Sequence, residues 1–206
     1  MSEAATTTTT NTSPPTNRIW LVAPLVIFAL VSLTVGLVAR HTADLVAHQH
    51  CTGTGIYQTC TGTTFKFFLS DVVVIQIKVW LATAAIILAL FQLFTAARVY
   101  NRFHFPPLGR FWGRMHRVSG WLANALTLPI AYHCIFLLGF ETINTRVLIH
   151  SLLGTMFYGT FLSKVWIVRA RGFPGWVLPI AGSAVFTLLL GLWLTSGLWF
   201  FTHYTL

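Results

Sequence analysis

The chain has 206 residues, of which 55% are hydrophobic and 8% are charged. Soluble domains carry about 25% charged residues, so the composition excludes a soluble globular protein and points to an integral membrane protein. The formal charge of +9 does not signal nucleic acid. The basic residues gather at the ends of apolar stretches, and no phosphate-cradling glycine loop or zinc-finger spacing occurs.

Residues 1–17 are mostly Ser, Thr, Asn and Pro, including the run Thr6 to Thr10. Such a segment buries no core and reads as a disordered tail. Arg18 and Arg40 bracket the first apolar stretch, 19–39. It is longer than a signal-peptide core and lacks a small-x-small cleavage site, so it reads as a retained helix. A polar, glycine-punctuated loop follows over 41–71, containing His48, His50, Cys51 and Cys60. The second span covers 72–97 and carries Lys78. A basic connector with Arg98, Arg102, Arg110, Arg114 and Arg117 surrounds Pro106-Pro107. Spans three and four, 116–140 and 146–168, form a hairpin about the turn Glu141-Thr142-Ile143-Asn144, and Gly172-Phe173-Pro174-Gly175 leads into span five, 176–201. Each stretch is long enough to cross a bilayer. The fold class read from this pattern is all-α: a polytopic protein with five transmembrane helices, in one membrane domain over 18–206.

An odd number of crossings puts the termini on opposite sides. With the amino terminus cytoplasmic, nine Lys/Arg lie inside (Arg18, the five of the connector, Lys164, Arg169, Arg171) and three outside (Arg40, Lys66, Arg146). That bias favours a cytoplasmic amino terminus, an extracytoplasmic carboxyl terminus and a multi-pass protein of the cell membrane. The Cys51/Cys60 loop then faces outward.

His133 and His150 are the residues most suggestive of chemistry. They are equidistant from the 141–144 turn, so an antiparallel hairpin holds them at one depth, about one and a half turns inside the membrane. Histidine is costly in hydrocarbon and usually has a purpose there. Two at one level on neighbouring helices suit the axial positions of one haem b in the outer half of the membrane. Gly154, four residues after His150, leaves room for a flat ring on the same helix face. Pro129, four before His133, bends its helix. Lys78 and Arg146 lie at the depth where haem propionates would sit. The competing reading has both imidazoles hydrogen-bonding between helices and holding the bundle together.

His116 is 17 residues from His133, roughly 25 Å along the helix and about 100° around it, so the two cannot share a metal. A second haem at His116 is disfavoured, because no histidine stands level with it on another span. Cys51 and Cys60 suit a disulfide in an oxidising compartment. His48, His50 and Cys51 together are a weaker candidate for copper or zinc. No nucleophile, base and acid are arranged for hydrolysis, and no acidic residue lies inside a span.

The run His116-Arg117-Val118-Ser119-Gly120-Trp121-Leu122-Ala123, then Tyr132-His133, then His150-Ser151-Leu152-Leu153-Gly154 resembles b-type membrane cytochromes of the ferric-reductase kind. It departs from them in one respect: His116 and His133 do not share a helix face. The whole chain is also similar to an uncharacterised five-helix bacterial membrane family with a closing Trp-Leu-Thr-Ser-x-Leu-Trp-Phe-Phe helix. The first resemblance implies a membrane-bound electron carrier or oxidoreductase. Its donors would be quinols, and its acceptors extracytoplasmic redox proteins or metal ions. The alternatives are a haem-free membrane scaffold in a larger complex and an outer-loop copper handler.

Overall fold

A computed structural model describes residues 19–46, 50–52, 59–61, 71–100, 110–170 and 172–203. The predicted tail 1–17, His48, Lys66 and the connector's Arg102 lie outside these residues. Five helical rods run α1 (Ile19–Val46), α2 (Asp71–Val99), α3 (Arg110–His133, continued by a π turn Cys134–Leu138), α4 (Thr145–Arg169) and α5 (Val177–Trp193). A second π turn, Leu194–Leu198, carries α5 into α6 (Trp199–His203). Two three-residue strands, β1 (His50–Thr52) and β2 (Thr59–Thr61), pair antiparallel between α1 and α2.

All five rods contain stretches long and apolar enough to cross a membrane. Helix is the form such sequences take, because it satisfies every backbone N–H and C=O within the segment where no water is available. Large apolar side chains cover the outside: Leu25, Leu33, Trp80, Ile87, Val118, Val168 and Ile180 are all more than half exposed. The buried core is small and centred on Ile86, Ala89, Phe157 and Leu189. This inside-out distribution is what a bilayer solvates and water does not.

The helices extend beyond the apolar stretches. α1 continues through His41 to Val46, α2 takes in Arg98, and α3 begins at Arg110 rather than near 116. Residues assigned to the loop and connector by their charge or polarity are therefore helical. Arginine is a good helix former, and its stem can lie along apolar surface while the guanidinium reaches polar ground.

α3 packs along α2, and α4 lies between α1 and α5. α3 and α4, the arms of the predicted hairpin, barely approach each other at the backbone. Side chains bridge them instead. Tyr158 donates to the Thr127 carbonyl (3.2 Å) or meets its hydroxyl (3.0 Å), and Trp121 sits edge-on to Phe161 at 5.9 Å. α1 and α4 come much closer. A Cβ on Gly159 would lie 2.7 Å from the Phe28 carbonyl and would collide with Ser32 Oγ, so only glycine permits this approach. One turn on, Ser163 Oγ donates to the Pro24 carbonyl at 2.7 Å.

The π turn after His133 closes through Gly139 N–H to the Cys134 carbonyl (2.8 Å). Gly139 then takes φ 75°, a conformation that ends the helix and favours glycine. Asn144 caps α4 by accepting the Val147 N–H at 3.0 Å. Phe140 N–H donates to the Ala39 carbonyl at 2.9 Å, and Thr42 Oγ1 donates to the Ile135 carbonyl, so the end of α1 is fastened to this turn. We call this the turn end of the bundle. The opposite end, with Arg98, Arg110, Arg114, Arg117 and Arg169, is the basic end.

Candidate functional site

Four helices bring polar side chains together at the turn end. His133 is the last residue of regular α3, and His150 lies in the second turn of α4. Lys78 Nζ, from α2, is 3.2 Å from His133 Nδ1. His150 Nδ1 is 2.8 Å from Thr195 Oγ1, inside the second π turn. Lys78 thus hydrogen-bonds one imidazole, and its charge also reaches the other, as does that of Arg146. Arg146 Nη1 donates to the Thr195 carbonyl (2.7 Å), and its guanidinium lies 3.9 Å from the Trp199 ring centroid. That carbonyl is open to Arg146 because the Trp199 N–H, which an α-helix would direct to it, goes to Ser196.

Hydrogen-bond logic assigns the tautomers. Thr195 Oγ1 sits 2.8 Å from the Gly191 carbonyl and 3.1 Å from that of Leu192, and a carbonyl can only accept. With the hydroxyl proton on one of these carbonyls, Thr195 Oγ1 accepts from His150 Nδ1–H. His150 Nε2 then carries a lone pair, the state a metal-binding imidazole needs, with its other nitrogen oriented by a partner. His133 is the reverse. A lysine ammonium can only donate, so Nδ1 accepts and the neutral ring keeps its proton on Nε2.

Gly154 shares the face of His150, as its spacing predicts. A Cβ there would meet Leu192 Cδ2 of α5 at an ordinary 3.9 Å, so the face is turned to α5 rather than to α3. Lys78 and Arg146 both reach the cluster, but each already has a protein partner.

The basic end repeats half of this arrangement. His116 Nδ1 is 2.9 Å from Thr95 Oγ1, whose proton goes to the Gln92 carbonyl at 3.1 Å. His116 is thus held at Nδ1 by a threonine hydroxyl, as His150 is. Gln92 Nε2 donates to the His116 carbonyl and to Ser119 Oγ (2.6 Å), locking α3 to α2. Arg98 is fully buried, its guanidinium 5.8 Å from the Trp112 ring centroid, and the charge of Lys164 reaches His116.

Thr195, Thr95 and the two π turns are the features sequence reasoning missed. Threonine is unremarkable in a membrane helix, and Ser-Gly after Thr195 was the only hint of irregular backbone there. π turns are frequent at functional sites, and one directly follows His133 while the other contains Thr195.

Among the described residues no group of three or more His, Cys, Asp or Glu could hold a metal ion. A bare ion, which needs its whole ligand set from side chains, fits poorly. A porphyrin supplies four nitrogens itself and asks the protein for only one or two imidazoles. The turn end offers two imidazoles of that kind, one of them hydrogen-bonded by Lys78. The copper candidates lie outside the description: His48 entirely, and His50 and Cys51 in their side chains. The backbone of the strand pair is described, and it sets Cys51 opposite Cys60. Cys134 is a free thiol.

No curated protein and no solved structure matches the chain. A family model described as a family of unknown function, DUF6529, matches residues 21–206, and the chain belongs to that family.

Proposed function

We propose that this membrane protein is a b-type haem electron carrier, with His133 and His150 as axial ligands at the turn end. The observation that carries the reading is the gathering of two imidazoles and two cations at the turn end. There Thr195 anchors the His150 imidazole at Nδ1, Lys78 hydrogen-bonds the second imidazole, His133, and the charges of Lys78 and Arg146 reach His150. Two imidazoles leave iron no open position, so the group would pass single electrons rather than bind oxygen. Lys78 and Arg146 would neutralise propionates. The protein's own contribution is orientation of both rings, exclusion of water and a positive local field. The Lys/Arg bias supports a cytoplasmic amino terminus. That puts the site near the outer face of the cell membrane, with quinols as donors and extracytoplasmic redox proteins or metal ions as acceptors.

A haem-free membrane scaffold is the rival, and one contact favours it. With Lys78 donating to His133 Nδ1, both imidazoles are already satisfied as bridges between helices. Purified protein from haem-replete cells decides between them. A dithionite-reduced α-band that is lost in His133→Ala and in His150→Ala supports the carrier. Colourless, well-folded protein overturns it in favour of the scaffold.

A further inference from the structure

We propose that Cys51 and Cys60 form a disulfide that staples the β1–β2 hairpin and marks the turn end as the oxidising side of the membrane. The two strands pair with His50 opposite Thr61, Cys51 opposite Cys60 and Thr52 opposite Thr59. Residues directly opposite in an antiparallel pair have Cα atoms about 5.5 Å apart if hydrogen-bonded and about 4.5 Å if not. Disulfides bridge Cα separations of about 4.4–6.8 Å. Both pair types fall in that window, so this register admits the bond without backbone movement. A slip of one residue in either direction would leave neither cysteine opposite the other.

The chain's only other cysteine, Cys134, follows His133 at the start of the first π turn of α3. The hairpin belongs to the connection between α1 and α2. α1 is fastened near its end to the 139–144 turn through the Ala39 carbonyl, so this connection leaves and rejoins the bundle at the turn end. Disulfides persist in oxidising compartments and are rare where thiols are kept reduced. The bond therefore orients the bundle on grounds independent of the Lys/Arg count: turn end outside, basic end inside. In forming it, two thiols lose two protons and two electrons as the S–S bond closes. A disulfide oxidant of that compartment accepts them and leaves as a dithiol. None of this requires haem, so the proposal stands or falls separately from the function proposed above.

The test counts thiols with a polyethylene-glycol maleimide on full-length protein in cell membranes, denatured before labelling. Without reductant, the wild type takes one label and Cys134→Ser takes none. After reduction they take three and two. Cys51→Ser takes two labels before reduction. Three labels on unreduced wild type, a label on unreduced Cys134→Ser, or a disulfide-linked dimer on a non-reducing gel each overturn the bond. A membrane-impermeant phosphine applied to intact cells should release both thiols. Release only after permeabilisation overturns the orientation.

Discussion

The two ends of the bundle solve the same problem and then diverge. Each holds a half-buried imidazole by setting its Nδ1 against a threonine hydroxyl that also reaches a carbonyl of its own helix: His150 on Thr195 at the turn end, His116 on Thr95 at the basic end. The pairing by itself is therefore no mark of a ligand site. It is how this bundle satisfies a ring in a place where an unpaired polar group is costly. What separates the turn end is a second imidazole, two cations reaching the same ring, and two π turns that redirect the backbone. At the basic end His116 is fastened to α2 by Thr95 and Gln92.

The largest effect that could break this comparison is spectroscopic. His150→Ala and His133→Ala should each abolish the reduced α-band, while His116→Ala keeps it. Loss in His116→Ala and retention in His150→Ala would move the site to the basic end. Next comes the pair of threonines. Thr195→Val removes the partner that orients His150 and should weaken haem retention roughly 10–100-fold, the usual cost of losing an outer partner of a ligating histidine. Titration of apoprotein with hemin measures this. Thr95→Val should leave retention unchanged and lower stability by about 1–3 kcal/mol, the cost of a buried donor left unpaired, read as a lower detergent-melting temperature. Equal retention in both variants would erase the distinction between the ends.

Lys78→Gln sharpens the turn end further. Removing a cation that favours the reduced, less positive haem should lower the midpoint potential. A unit charge ~10 Å from iron at an effective dielectric of ~20 is worth about 1.7 kcal/mol, or roughly 70 mV. An unchanged potential in a redox titration would place Lys78 away from the redox centre. The smallest effect is structural. Tyr158→Phe cuts the hydrogen bond that bridges α3 to α4 between the two ends, and should cost about 0.6 kcal/mol, typical of such bonds in membranes. A change several times larger in a reversible denaturant titration would mean that this strut, rather than the α4–α5 packing, holds the arms in place.

Much of the site's composition was legible in the chain, and its wiring was not. His133, His150, Lys78 and Arg146 stood out because charge and imidazole are conspicuous in apolar helices. Their partners did not, because a threonine or a backbone carbonyl carries no such contrast. Gly154 shows the difference well. Its spacing from His150 put both on one face, but spacing within a helix says nothing about which neighbour that face meets, and the neighbour proved to be α5. Likewise, the short 141–144 turn implied two arms packed together. Yet α3 lies on α2 and α4 between α1 and α5, because small residues at the α1–α4 and α4–α5 contacts, Gly159 and Gly191, let those helices come closer.

Hydropathy and length by themselves determined five membrane-length helices, though not where each one ends, because hydrocarbon forces each apolar stretch to satisfy its own backbone. Only the tertiary structure decided which helices touch, which polar group each histidine meets, and that Thr195 rather than a charged residue holds His150. Those outcomes depend on contacts between residues far apart in the chain, where packing of small side chains and the geometry of π turns set the partners.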